Sequence, residues 1–129
     1  MKKILIADDE PHVLRVLKLS LEKEGYAVET CANGKEALTR LEQEHPDILI
    51  TDIQMPLMTG EELCQHIVQD MPERNFLIFV LTSRTEIEHR EWSRNIHNLS
   101  FLEKPVSIRN LLEKIDGYFN STTDSWRVS

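Results

Sequence analysis

The chain has 129 residues, 22 acidic side chains against 15 Lys and Arg, a formal charge of −7 and a hydrophobic fraction of 40%. That length fits one domain with enough core to fold without disulfides or metals. The acidic balance argues against a bare nucleic-acid-binding domain, whose affinity rests on neutralising phosphates, and with neither a signal-peptide pattern nor a long apolar span the expected location is the cytoplasm, away from any membrane.

The pattern alternates strand and helix five times. The run KILIA reads as a strand ending at Asp8. Pro11 then suits the first turn of a helix, with Val13, Leu14, Leu17 and Leu21 on one face and Gly25 ending it. Tyr26 to Thr30 reads as a short second strand, and Asn33-Gly34 as a turn into a helix with Ala37, Leu38 and Leu41 inward. His45-Pro46 stops that helix. Ile48 to Ile50 are continuously apolar, as in a central parallel strand covered on both faces.

The loop after Asp52 leads into a helix carrying Leu63, Ile67 and Val68, which Pro72 separates from a fourth strand, Phe76 to Leu81. Thr85 to Arg94 is predicted helical although polar nearly all round, with Ile87 and Trp92 its large apolar residues. Leu99 to Leu102 make the fifth strand, and Val106, Leu111, Leu112, Ile115 and Phe119 line the last helix. Residues 1–119 thus form one domain, and from Asn120 the sequence reads as a loose polar tail or the start of a linker. Cys31 and Cys64 form no CxxC and have no His at metal-ligand spacing, so they are expected as buried free thiols, with a disulfide the lesser alternative. The scattered His12, His45, His66, His89 and His97 read as surface residues.

Alternating βα units with short connections imply an α/β fold, a doubly wound parallel sheet with right-handed crossovers. Five strands favour the flavodoxin-like order 2-1-3-4-5, whose switch point lies between strands 1 and 3. The strands end in Asp8-Asp9, Asp52, Thr82 and Lys104, so the topology converges three carboxylates, a hydroxyl and an amine on one crevice. Carboxylates clustered this way suit a hard cation such as Mg²⁺, and a carboxylate can serve as nucleophile toward phosphorus. Each residue also has a plainer reading. Asp8 to Pro11 could merely cap a helix, a role expected of Glu10; Lys104 could be a surface lysine, and Thr82 and Phe101 ordinary strand residues.

Four motifs together, IADDEP, TDIQMPLMTG, VLTS and FLEKP, make the chain resemble a response-regulator receiver domain of two-component signalling over roughly residues 2 to 119. The resemblance implies that Asp52 accepts a phosphoryl group from a sensor histidine kinase or phosphotransfer protein. It implies Mg²⁺ held directly by Asp9, through water by Asp8, and by Asp52 and the main-chain carbonyl of Gln54. Lys104, preceding a cis proline, would neutralise the phosphoryl oxygens, while Thr82 and Phe101 would form the switch and Gly60 would relieve a tight turn. The same resemblance implies a signalling switch that catalyses only its own phosphorylation and dephosphorylation. Output would pass through the helix 4–strand 5–helix 5 face to an effector domain, a partner or a phosphorylation-dependent homodimer.

Two stretches depart from the family pattern. Arg94 to Asn98 replaces small residues, and the helix TEIEHREWSRN is unusually charged. Trp92 there is either a partner anchor or a cover for its own helix. Arg84 is either a shield over the phosphoryl group or a solvated side chain. A pseudo-receiver that signals by contact alone would lack an acid, the acceptor or the lysine, and none is missing. A Mg²⁺-dependent phosphohydrolase would need a second acid where Gln54 stands and an insertion for a cap. The residues beyond 119 hold no DNA-binding or catalytic domain, which leaves a stand-alone receiver or a piece of a longer protein as the two expectations.

Overall fold

The computed structural model describes the backbone of residues 1–128 and the side chains of residues 1–120. Strands β1 (Lys3–Ala7), β2 (Ala27–Cys31), β3 (Ile48–Asp52), β4 (Leu77–Thr82) and β5 (Leu99–Glu103) are all parallel, in the order β2-β1-β3-β4-β5. Helices α1 (Pro11–Lys23), α2 (Gly34–Gln43), α3 (Gly60–Asp70), α4 (Arg84–Ile87) and α5 (Ile108–Val128) connect and follow them. The strand order is the flavodoxin-like one expected.

Side chains on a strand alternate between faces, and here the alternation divides the core in two. Leu5, Leu49, Ile78 and Val80 face Ala37 and Leu41 of α2 and Leu63 and Ile67 of α3. Ile4, Ile6, Ile50, Phe79 and Leu81 face Leu17 and Leu21 of α1 and Leu111 and Ile115 of α5. Continuous apolar runs therefore mark the central strands, because both faces are covered. Cys31 and Cys64 are buried free thiols, each pushed up to about 12 by burial. None of the histidines is buried. No helix among the described residues is long and apolar enough to cross a membrane.

Four expectations are corrected. The helix expected over 85–94 is one α-helical turn, Arg84–Ile87, followed by a 3-10 turn at Glu91–Ser93. At about 100° per residue, Ile87 and Trp92 would lie about 140° apart on a continuous helix. In the structure Trp92 and Ile96 pack against the core, and Ile87 is half-buried outside that cluster. Second, α5 runs on to Val128 where a loose tail was expected from Asn120, since no Pro or Gly follows Gly117 to end it; the side chains of 121–129 lie outside the described residues. Third, Val68 is 40% exposed, and Cys64 and Met71 join Leu63 and Ile67 inward instead. Fourth, Glu10 stands at the α1 N-cap position without a side-chain cap bond.

Candidate functional site

The crevice forms where β1 and β3 end side by side and the chain leaves them in opposite directions, into α1 and into the β3–α3 loop. Asp8 follows the last residue of β1, and Asp52 is the last residue of β3. Both are buried, whereas Asp9 is exposed at the rim. Each of the three offers a carboxylate oxygen within 4.8 Å of the others.

Asp8 Oδ1 accepts the Glu10 backbone N–H at 2.9 Å, so the acid pair itself shapes the turn into α1. Asp8 Oδ2 is buried with no hydrogen-bond partner. Asp52 Oδ1 accepts from Lys104 Nζ and from the Ile53 N–H, both at 2.8 Å. Burial raises the Asp8 pKa, and the neighbouring Asp52 charge adds to it. Burial likewise raises Asp52, against the opposing pull of Lys104. For Lys104, burial works to lower the pKa, but the Asp52 carboxylate outweighs it and holds the ammonium above the usual lysine range. Two like charges and an orphaned buried oxygen are what a divalent cation relieves, so the residues present fit Mg²⁺.

Two glycines set the loop that follows Asp52. A Cβ on Gly60 would lie 2.1 Å from the Asp52 carbonyl oxygen, and one on Gly34 would lie 2.4 Å from the Met58 carbonyl oxygen. Gly60 N–H donates to the Ile53 carbonyl at 2.8 Å and Gly34 N–H to that of Met58 at 3.1 Å. Close backbone approach, at Gly60 as at Gly34, is thus what excludes a side chain. A reciprocal cap between Thr59 and Glu62 then starts α3. Gln54 lies exposed in this loop, and Leu57 at its tip adopts φ 68°.

Thr82 ends β4, one residue beyond the register partner of Asp52. Its hydroxyl is buried and donates to the Ser83 carbonyl at 2.6 Å, along its own backbone. Lys104 N–H donates to the Thr82 carbonyl at 2.7 Å, which ties the ends of β4 and β5, and the Lys104–Pro105 peptide is cis as expected. Phe101 is half-buried and packs edge-to-face on Trp92, with centroids 5.8 Å apart and planes at 80°. Trp92, in the 3-10 turn, thus covers Phe101 of β5. Arg84, its side chain 86% exposed, pairs with Glu103 at 3.5 Å.

The family model for the response regulator receiver domain matches residues 4–116. The chain belongs to the response regulator receiver family. A probable transcriptional regulator, ycf27 of Cyanophora paradoxa, is 34% identical over 96% of this chain and 54% of its own length. The receiver chain therefore spans about half the length of the first such curated relatives. Among solved structures, a CheY-like receiver domain protein from Methanospirillum hungatei superposes with a TM-score of 0.85, at 33% identity, covering 97% of this chain and 98% of that one. The response regulator TrrA of Thermotoga maritima, solved with Mg²⁺ and BeF, has a TM-score of 0.78 at 32% identity, covering 90% of this chain and 97% of that one.

Three features of the receiver were not read from its sequence. Gly34 supports the β3–α3 loop only through a contact distant in the chain. A groove of about 510 Å³ opens beside Lys104, lined by Val13, Val16, Pro105, Val106 and Ile108; its one sequence signal is that α1 carries more apolar positions than one buried face needs. Glu86, whose charge contributes to the Asp52 environment, stands in a stretch polar nearly all round and carries no local signal of that role.

Proposed function

We propose that this receiver takes a phosphoryl group from a sensor histidine kinase or a phosphotransfer protein onto Asp52 in a Mg²⁺-dependent reaction, and then regulates an effector domain or partner. The observation that carries the reading is the buried, unpartnered Asp8 Oδ2 beside Asp52 and Lys104. Such an oxygen is costly to bury, and a packing role does not account for it.

Asp8, Asp9 and Asp52, with the main-chain carbonyl of Gln54, would hold the metal. When bound, Mg²⁺ supplies charge neutralisation for the phosphoryl oxygens. In the step itself an Asp52 carboxylate oxygen forms a bond to phosphorus while the bond from phosphorus to the donor atom breaks, its electron pair leaving with the donor. The Lys104 and Ile53 hydrogen bonds both fall on Oδ1, so Oδ2 is the oxygen open to phosphorus. Lys104 stays as a point charge against the transferred group. Thr82 exchanges the Ser83 carbonyl for a phosphoryl oxygen, and Phe101 repacks with it. The groove between α1 and the β5–α5 loop gives a donor helix an apolar surface that opens beside Lys104.

Output passes through the α4–β5–α5 face, to a partner or a second copy, in the cytoplasm and without direct contact to nucleic acid. The domain is a switch whose chemistry is confined to its own phosphorylation and dephosphorylation. With acetyl phosphate and Mg²⁺, intact mass should rise by one phosphoryl group, and EDTA should prevent it. An Asp52→Asn protein that still gains the full mass shift would sink the assignment.

A further inference from the structure

α4 is one turn long and starts directly after Thr82. What closes that turn is a reciprocal cap. Ser83 N–H donates to Glu86 Oε1 at 2.8 Å, and Glu86 N–H donates to Ser83 Oγ at 3.1 Å. A single turn fixes several backbone dihedrals for few internal hydrogen bonds, so it depends on its cap more than a long helix does. The Ser83 residue is held from its other side as well, because the Thr82 hydroxyl donates to its carbonyl. Ser83 therefore joins the end of β4 to the first turn of α4 through the two peptide units that flank it.

Glu86 is half-buried, and its charge acts on the Asp52 carboxylate. Among the described residues no cation pairs with it. Lys104 is engaged by Asp52, and Arg84 is turned outward to Glu103. The acid that caps α4 is thus bonded to the residue after Thr82, at the end of the strand that pairs with the Asp52 strand.

We infer that Glu86 is the residue that reports charge on Asp52 to the segment between β4 and β5. This rests on Asp52 being the phosphorylated residue. Phosphorylation replaces a carboxylate by a dianionic phosphoryl group that projects further into the crevice, adding one negative charge opposite Glu86. Repulsion weakens the Glu86 bond to Ser83 N–H at the moment when the Thr82 hydroxyl leaves the Ser83 carbonyl for the new oxygens. Glu86's hold on the Ser83 N–H and Thr82's hold on the Ser83 carbonyl are released together, which leaves the turn to its own backbone bonds, among them Ile87 N–H to the Ser83 carbonyl and His89 N–H to that of Glu86, and it loosens. Ile87 follows the turn, and Trp92 shifts on Phe101, its ring partner 5.8 Å away. A chain with a long helix 4 would resist this release.

The test uses the full chain carrying Trp126→Phe, so that Trp92 is its single tryptophan. Phosphorylation by acetyl phosphate and Mg²⁺ is followed by intact mass, and the Trp92 environment by emission. Glu86→Gln keeps an acceptor for Ser83 N–H and removes the charge; Glu86→Asp keeps the charge with a shorter reach. The expected result is full phosphorylation of all three proteins, with the Trp92 change in Glu86→Gln reduced to less than half of the parent's and retained in Glu86→Asp. A fully phosphorylated Glu86→Gln protein with the parent's Trp92 change overturns the inference. So does loss of the change in Glu86→Asp, which would make the cap geometry and not its charge decisive. A parent that gains no phosphoryl group would instead overturn the reading of Asp52, and the mass readout separates that failure from the other two.

Discussion

Both edges of the sheet bury charge, and they treat it oppositely. At the carboxyl edge Asp8 and Asp52 are buried with an oxygen left over and a proton affinity raised mainly by burial. At the amino edge Arg74, 4% exposed, has no carboxylate partner among the described residues. Its guanidinium donates to the carbonyl of Phe76 at 2.8 Å and to that of His97, and lies over the Phe76 ring. Around it, the Asn75 carbonyl accepts from Asn98 Nδ2 and from the Tyr118 hydroxyl. Arg74 thus straps the start of β4 to the approach of β5. A buried charge whose hydrogen bonds are used internally holds structure together. One left with unused capacity is a place for a ligand.

The sharpest way to break this comparison is to remove the strap. Arg74→Ala leaves two carbonyls without their donor and a gap where the side chain packed, so it should destabilise the fold by about 3 kcal/mol. Urea unfolding monitored by far-UV circular dichroism reads the effect. The Asp52 site lies at the other end of the sheet, so the folded variant should still take the phosphoryl mass shift. A loss below about 1 kcal/mol would show that solvent replaces the guanidinium readily and that the two edges do not differ in kind.

The carboxyl edge should respond with the opposite sign. Without metal, Asp8→Asn removes one of two repelling buried charges and keeps an oxygen for the Glu10 N–H, so it should stabilise the fold by about 1 kcal/mol near neutral pH. The pH dependence follows from the direction of the shifts. Folded-state pKa values of Asp8 and Asp52 lie above their unfolded ones, so in that window the native state binds more protons and stability rises as pH falls. Lys104, also raised, contributes stability that is full below its unfolded value and lost only as alkaline pH passes its folded one. The advantage of Asp8→Asn should therefore shrink on acidification through the window above the ordinary carboxylate range. Saturating Mg²⁺ should reverse the ranking, since ligand binding to the native parent adds stability. An Asp8→Asn protein less stable than the parent without metal would mean that Asp8 Oδ2 has a partner in solution.

This asymmetry explains what could be read from the sequence. The carboxyl edge was legible because each of its groups ends an apolar run, and β1, β3 and β4 are apolar enough to be unmistakable. Convergence then followed from topology alone. Arg74 was not legible, because MPERN reads as a polar break and nothing local tells a strapped arginine from a solvated one. The Gly34 contact with Met58 is equally non-local. The α4 segment misled for another reason. It holds no Pro or Gly between Arg84 and Asn98, yet Ile87 and Trp92 could not share one face of a continuous helix. Packing decided against propensity there. Val68 shows the same on a smaller scale, since an apolar residue in a helix need not face inward and this one does not.

The smallest expected effect concerns Arg84, for which the sequence left a phosphoryl shield and a solvated side chain both open. A shield must reach the in-line path of water toward phosphorus, and a cationic side chain does so only if nothing else holds it. Here Glu103 does, at 3.5 Å, on the strand end that pairs with Thr82. An ion pair that exposed contributes about 0–1 kcal/mol, so it would yield to a strong anion. Lys104, however, already stands at 2.8 Å from Asp52 and meets that anion first. Arg84→Ala should therefore change the dephosphorylation rate at equal Mg²⁺ by about twofold or less, against the tenfold that 1.4 kcal/mol of lost contact to the phosphoryl group would bring. Glu103→Gln, which frees Arg84 without deleting it, completes the test. If that variant dephosphorylates more slowly than the parent while Arg84→Ala does not, the arginine is a shield that Glu103 holds in reserve; equal rates in all three leave it to the solvent.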